Sequence, residues 1–127
     1  MKLIRARLNL ATLAILSPVL MLSGVIGLVN PGYQSTSDAP AYQIFHILFG
    51  AAGVRLVFSN NATRARWFNV GFGLIDLYQA LASYLHLFPD RLFRWTSTDD
   101  ALHTAIGLGL LLIGLLGARS PRTCSRV

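Results

Sequence analysis

The stretch LNLATLAILSPVLMLSGVIGLV, residues 8–29, decides the fold, because it carries no charge over a length that crosses a membrane. A bilayer core of roughly 30 Å needs about 20 predominantly apolar residues in a helix. Three further stretches come close to this length with at most one charge each, namely residues 41–59, 67–88 and 100–118. The sequence therefore predicts an all-α integral membrane protein in which these four stretches form a transmembrane four-helix bundle.

The composition agrees with a membrane protein and argues against a soluble domain. Hydrophobic residues make up 54% of the chain and charged residues 13%, whereas soluble domains average about 25% charged residues. The apolar residues come in long blocks, while the helices of a soluble bundle would each show a polar face. The 127 residues allow one domain, so we expect a single transmembrane domain over residues 1–127, ending in a cytoplasmic tail at 119–127.

The positive charges predict the orientation in the membrane. The basic residues that precede the first helix, bracket the second connection or follow the last helix are Lys2, Arg5, Arg7, Arg55, Arg64, Arg66, Arg119, Arg122 and Arg126. Only Arg91 and Arg94 fall in the other two connections. The positive-inside rule then places both termini in the cytoplasm. Since the net charge of +6 is distributed as membrane topology requires, we expect the lipid bilayer and no nucleic acid as partner.

The chain also reads as two copies of one helical hairpin. Arg5-Ala6-Arg7 opens the first helix and Arg64-Ala65-Arg66 opens the third. His46 with Gly50 in the second helix matches His103 with Gly107 in the fourth. Each half starts and finishes on the same side, so the sequence predicts two parallel repeats related by an axis along the membrane normal.

These repeated motifs support a resemblance to a known group. Phe45-His46-Ile47-Leu48-Phe49-Gly50 in one hairpin and Asp99-Asp100-Ala101-Leu102-His103-Thr104-Ala105-Ile106-Gly107 in the other resemble small bacterial four-helix membrane proteins of unknown function. That family is similar in layout to the DoxX-like proteins. The resemblance covers about residues 5–118. It implies a four-helix fold in the bacterial cytoplasmic (inner) membrane and implies no activity.

The third predicted helix carries a polar stripe centred on Asp76. At 100° per residue, about 100° of arc holds Asn69, Asp76, Gln79, Ser83 and His86. The stripe must face other helices or a wet cavity, because lipid would leave its donors and acceptors unpaired. Two interpretations are open. The stripe is a seam that joins helices by hydrogen bonds, or Asp76 is the protonation site of a proton or cation relay.

The histidines are the second candidate site. Imidazole in a membrane helix can ligate haem iron or chlorophyll magnesium, and a glycine one turn away makes room for a macrocycle. Both His46 and His103 have that glycine. A tetrapyrrole held by these two residues is one alternative, and a divalent metal site is a second. Ordinary packing with no cofactor and no metal is the third.

Small residues and missing motifs bound the function further. Ala101, Ala105 and Gly109 repeat at every fourth position, a spacing that lets membrane helices approach closely. The sequence contains no Gly-rich phosphate loop, no zinc-protease motif and no nucleophile elbow, so we do not expect an enzyme.

Three functional hypotheses follow from these features. The first is a structural or accessory component of a membrane complex or a homo-oligomer, associated with other membrane subunits or with itself. The second is a proton-linked small-molecule transporter that uses Asp76. The third is a haem- or chlorophyll-binding membrane protein that uses His46 and His103.

Overall fold

The computed structural model describes residues 2–117, without the side chains of residues 2, 3, 5 and 6. These residues contain no strand. Four long helices and one short helix follow one another as α1 (Lys2–Val29), α2 (Pro40–Phe58), α3 (Ala62–Leu85), α4 (Asp90–Phe93) and α5 (Ser97–Leu116). The all-α prediction is confirmed. The tail at 119–127 lies outside the described residues.

Three of the helices are long and apolar enough to cross a membrane. These stretches are Arg7–Val29, Pro40–Phe58 and Ser97–Leu116. Helix α3 is longer than two of them, but its polar side chains lower its hydropathy and it is not one of the three. The structure is therefore compatible with a multi-pass membrane protein, while a membrane crossing by the fourth predicted segment, 67–88, stays a prediction.

The long helices pair as two hairpins. Helix α1 packs chiefly on α2, and α3 packs chiefly on α5. In each hairpin, the two helices come close together at a glycine. A Cβ built on Gly50 would lie 2.8 Å from the Ser17 carbonyl oxygen of α1, and one built on Gly107 would lie 2.9 Å from the Gly73 carbonyl oxygen of α3. The two glycines thus bring the backbones of their hairpins into close contact, as small residues do between membrane helices.

The bundle has two ends, which we name by a residue at each. The Pro40 end contains the C-terminus of α1, the N-terminus of α2, the C-terminus of α3, all of α4 and the N-terminus of α5. The Arg64 end contains the opposite ends of the four long helices. Basic side chains flank α2 and α3 at the Arg64 end, and the candidate site described below begins at the Pro40 end.

Several helix termini differ from the sequence expectation. Helices α1, α3 and α5 begin at Lys2, Ala62 and Ser97, before the predicted starts at 8, 67 and 100. Helix α3 stops at Leu85, short of the expected end at 88, because His86 adopts a left-handed conformation with φ 55° and its N–H bonds the Ala82 carbonyl. Such a residue ends a helix by turning the chain away from its axis. Helix α2 begins at Pro40, directly before the predicted start at 41, and no side chain caps it.

A row of aromatic side chains runs between the two hairpins from the Pro40 end toward the Arg64 end. Each ring lies within 6.4 Å, centroid to centroid, of at least one other ring in a cluster of Phe45, Phe49, Phe68, Phe72 and Phe93. Tyr42 near the start of α2 is 2% exposed. It is buried because its ring packs against Phe93 and its hydroxyl bonds a buried carboxylate.

Candidate functional site

The polar stripe of α3 lies mainly on the buried face of that helix. Asn69, Asp76 and Gln79 are 0%, 3% and 3% exposed. Ser83 is half-buried. His86 lies beyond the end of α3, where its side chain is exposed and contacts Asp90 through Nδ1 at 3.1 Å. The stripe inside the bundle is therefore shorter than expected, since the helix ends before His86.

Asp76 sits in the middle of this buried face, and its partner comes from the same helix. Gln79 Nε2 donates to Asp76 Oδ1 at 3.3 Å. On the facing helix α5, Gly107 leaves room for the Asp76 side chain, because a Cβ at Gly107 would lie 3.1 Å from the Asp76 Cβ. Within residues 2–117, no hydrogen bond joins Asp76 to another helix. The Asp76 side chain thus contacts α5 through its Cβ and forms no hydrogen bond with that helix.

A pair of asparagines joins α3 to α1 on the Arg64 side of Asp76. Asn69 Nδ2 donates to Asn9 Oδ1 at 3.0 Å and to the Asn9 main-chain oxygen at 3.1 Å. Asn9 is 2% exposed. The sequence analysis missed Asn9, because it is a single amide among the apolar residues of the stretch 8–29 and forms no stripe with other polar residues there.

Tyr42 brings both sequence-predicted histidines together. Its ring centroid lies 4.2 Å from that of His46 on α2 and 5.8 Å from that of His103 on α5. Its hydroxyl lies 2.8 Å from His103 Nε2. Both histidines are buried, at 9% and 4% exposure. The two imidazoles predicted as cofactor ligands therefore both contact one tyrosine ring.

The buried carboxylate of Asp99 completes this cluster. Asp99 is fully buried, and its Oδ1 accepts from the Tyr42 hydroxyl at 3.0 Å. Its Oδ2 accepts from the Ser37 N–H at 2.8 Å, and from the N–H and hydroxyl of Thr96 at 2.8 and 2.9 Å. Thr96 in turn accepts from the Asp99 N–H, so the two residues form a capping box at the start of α5.

Sequence analysis named Asp99 only as the first residue of a motif that resembles a known family. The spacing held a further clue, because residues four apart share a helix face. Asp99, His103 and Gly107 follow that spacing, and all three are buried on one line of α5. The pairing of Asp99 with Tyr42 depends on how the two hairpins dock, and no local pattern indicates it.

The surroundings of the histidines do not favour a macrocycle. The space beside Gly50 is filled by Ser17 and Met21 of α1, and the space beside Gly107 by Gly73 and Leu77 of α3. Both glycines therefore make room for a neighbouring helix. The Nε2 atom of His103 is already bonded to Tyr42. Nor does the part of the chain that the structure describes bring three His, Cys, Asp or Glu side chains together to hold a metal ion.

Several buried polar atoms in this interior lack a hydrogen-bond partner among the protein atoms of residues 2–117. They are Gln43 Oε1, His46 Nδ1, Asn69 Oδ1, Gln79 Oε1 and His103 Nδ1. Buried polar side-chain atoms in native proteins are nearly all paired, and exceptions often mark a functional site, a bound water or an ion. The interior around Asp76 therefore contains polar atoms beyond those that bond one helix to another.

Comparisons with known proteins add no assignment. No family model, no curated protein and no solved structure matches the chain. The DoxX-like resemblance consequently stays a prediction.

Proposed function

We propose that this chain is a small multi-pass membrane protein that carries out proton-linked transport of a small molecule, with Asp76 as its protonation site. The observation that carries the proposal is the placement of Asp76. Its side chain is 3% exposed and its hydrogen bond, within residues 2–117, comes from Gln79 of its own helix.

The alternative explanation, a polar seam, accounts for the neighbours of Asp76 better than for Asp76 itself. A carboxylate at the centre of a membrane helix costs roughly 2.5–3.5 kcal/mol on insertion scales. A seam residue offsets such a cost by bonding another helix, as Asn69 does with Asn9 and Tyr42 does with Asp99. Since Asp76 makes no such bond within residues 2–117, no interhelical hydrogen bond offsets the cost of burying it. A role in gaining and losing a proton would explain why an acid stands at this position.

Proton flux into liposomes tests the proposal. Purified protein would be reconstituted in vesicles that contain a pH-sensitive dye, and flux would be driven by a potassium diffusion potential. We expect Asp76→Asn to abolish the flux, because the amide keeps the shape of the side chain and cannot exchange a proton in this way. Asp38→Asn is the matched control, since Asp38 is an exposed carboxylate that contacts Arg94. Flux that survives Asp76→Asn would contradict the proposal.

A second candidate function is supported by a different surface. Helix α5 turns its small residues outward: Ala101 and Ala105 are exposed, and a Cβ built on Gly109 would meet nothing within 4 Å. Residues 101, 105 and 109 thus take no part in the close helix contacts of the chain itself. Small residues at this spacing are typical of interfaces between membrane helices. We propose on this ground that the chain associates with itself or with other membrane subunits through α5, which is compatible with transport.

The size of the protein in mild detergent tests this association. We expect the wild type to run as a dimer or larger oligomer by light scattering, and Gly109→Leu to run as a monomer with unchanged helix content. Gly71→Leu is the matched control, since Gly71 on α3 also has open space around it. A wild-type protein that stays monomeric and copurifies with no other subunit would exclude this candidate.

We further propose that the Arg64 end faces the cytoplasm of a bacterial cell and that both termini lie on that side. Arg55, Arg64 and Arg66 lie in or beside the connection at the Arg64 end, against Arg91 and Arg94 at the Pro40 end. This distribution supports the proposed orientation through the positive-inside rule. The Pro40 end, with the buried Asp99, then faces the periplasm.

A further inference from the structure

One group of buried ionisable side chains is not used by the proposed protonation of Asp76. It consists of Tyr42 and His46 on α2 and of Asp99 and His103 on α5. A second acid, Asp100, stands beside it at the start of α5 with Oδ1 buried and unbonded within residues 2–117. The side chains of α1 that reach the bundle interior are Asn9, Leu13 and Ser17, so α1 adds no ionisable group there.

Three of these side chains form a continuous hydrogen-bonded row. His103 Nε2 lies 2.8 Å from the Tyr42 hydroxyl, which lies 3.0 Å from Asp99 Oδ1. A tyrosine hydroxyl has one proton to donate and can accept at the same time. When it donates to Asp99, it accepts from the N–H of a His103 tautomer protonated at Nε2. The row is therefore arranged to carry a proton along its length by successive transfers between neighbouring groups.

The row is directed from the Pro40 end toward Asp76. His103 precedes Gly107 by one helical turn, a rise of about 6 Å along α5, and Gly107 packs against the Asp76 Cβ. His103 Nδ1, the atom that the row leaves free, is buried and unbonded within residues 2–117. A water molecule that bridges His103 Nδ1 and the Asp76 carboxylate is part of the proposal below.

The opposite side of Asp76 is apolar. Phe72, one turn toward the Arg64 end, is 3% exposed, and Leu13 and Leu110 are 0% and 3% exposed. Beyond them the side chain of Asn69 is bonded to Asn9. Asn69 precedes Asp76 by seven residues, or about 10 Å along the helix. A proton on Asp76 thus meets ionisable groups toward the Pro40 end and hydrocarbon toward the Arg64 end.

We propose that His103, Tyr42 and Asp99 form a proton path between Asp76 and the Pro40 end, and that in this conformation Asp76 exchanges protons only with that side. The inference rests on the proposed protonation of Asp76. In the outward step, a proton reaches His103 Nδ1 from Asp76 through a water molecule. His103 then releases its Nε2 proton to the Tyr42 oxygen while Tyr42 gives its own proton to Asp99 Oδ1. Each transfer breaks one bond to hydrogen and forms one, and no other reactant is consumed.

The last step leads from Asp99 to solvent. Asp99 is covered by Ser37 and Thr96, and the half-buried Thr96 hydroxyl contacts both Asp99 Oδ2 and the Ser35 carbonyl. These connections belong to the Pro40 end. A proton on Asp99 is therefore separated from solvent by the connecting segments alone.

Time-resolved infrared spectroscopy after a pH jump tests the path. The full chain would be placed in lipid nanodiscs, where both faces are accessible, and Asp76 would be followed by the protonated-carboxyl band that is lost in Asp76→Asn. We expect Tyr42→Phe to slow protonation of Asp76 by about 100-fold, the lower range of what a positioned proton-transfer group contributes. Asn69→Ala is the control, since it removes bonds between α3 and α1 on the other side of Asp76 and should leave the rate unchanged.

The outcomes separate this inference from the proposal on which it rests. If the wild type shows no carboxyl band that Asp76→Asn removes, the protonation of Asp76 itself is refuted. If the band is present and Tyr42→Phe leaves its rate unchanged, or if Asn69→Ala slows it as much, the path is refuted and Asp76 remains a protonation site. Should Tyr42→Phe fail to fold, His103→Gln provides the same comparison, because an amide can bond Tyr42 without relaying a proton.

Discussion

Replacing Tyr42 with phenylalanine removes one oxygen atom and, with it, two hydrogen bonds between α2 and α5. The bonds measure 3.0 Å to Asp99 Oδ1 and 2.8 Å to His103 Nε2. Hydrogen bonds between membrane helices contribute about 0.6 kcal/mol on average and up to about 1.7 kcal/mol. We therefore expect Tyr42→Phe to lower the free energy of unfolding by about 1–3 kcal/mol. The ring contacts with Phe93 and His46 persist in this variant.

Asp76→Asn is the informative comparison, because the structure predicts the opposite outcome for it. Asp76 bonds Gln79 within α3, and asparagine can accept the same bond. The amide also avoids burying a charge, so the substitution relieves part of the insertion cost of roughly 2.5–3.5 kcal/mol that the carboxylate carries. We expect this variant to be as stable as the wild type or more stable.

Unfolding by titration with a denaturing detergent, followed by circular dichroism of the helices, measures both variants. A loss of more than about 1 kcal/mol in Asp76→Asn, comparable with an interhelical hydrogen bond, would mean that Asp76 joins helices after all. That result would refute the reasoning by which a proton-transfer role was assigned to it.

Two further predictions concern packing and orientation. Gly107→Ala should lower the free energy of unfolding by about 1–3 kcal/mol through overpacking, because the new Cβ would lie 2.9 Å from the Gly73 carbonyl oxygen. Gly109→Ala should leave the free energy of unfolding unchanged, because its Cβ would meet open space. Equal effects of the two variants in denaturation curves would contradict the α3–α5 contact. A protease site added after Val127 should resist cleavage in intact cells and be cut in inverted membrane vesicles, and cleavage from outside would reverse the proposed orientation.

The helices were predictable because their cause is local. An uncharged stretch such as 8–29 has to be helical in a bilayer, since each backbone polar group must be satisfied within the segment. The end of α3 was predicted at residue 88, but the helix stops at Leu85 because His86 turns the chain earlier. A left-handed histidine has no sequence signature comparable to glycine or proline, so this boundary could not be predicted.

The site was predictable in part. Residues placed by local helical spacing were predicted, and residues whose partners lie far away in the sequence were not. Asn69, Asp76 and Gln79 were found because helical spacing alone places them on one face. Asn9 and Tyr42 were missed as site residues because their roles depend on partners about 60 positions away, Asn69 and Asp99. Long-range pairing of this kind is set by the docking of the two hairpins.

The arrangement of bonds around Asp76 also explains why the bundle tolerates a buried acid. The pair of Asn69 and Asn9 joins α3 to α1 on the Arg64 side, and the row of Tyr42, Asp99 and His103 joins α2 to α5 on the Pro40 side. These two bonded groups hold the four long helices together without Asp76. Because neither depends on the charge of Asp76, its protonation can change while the helix contacts persist.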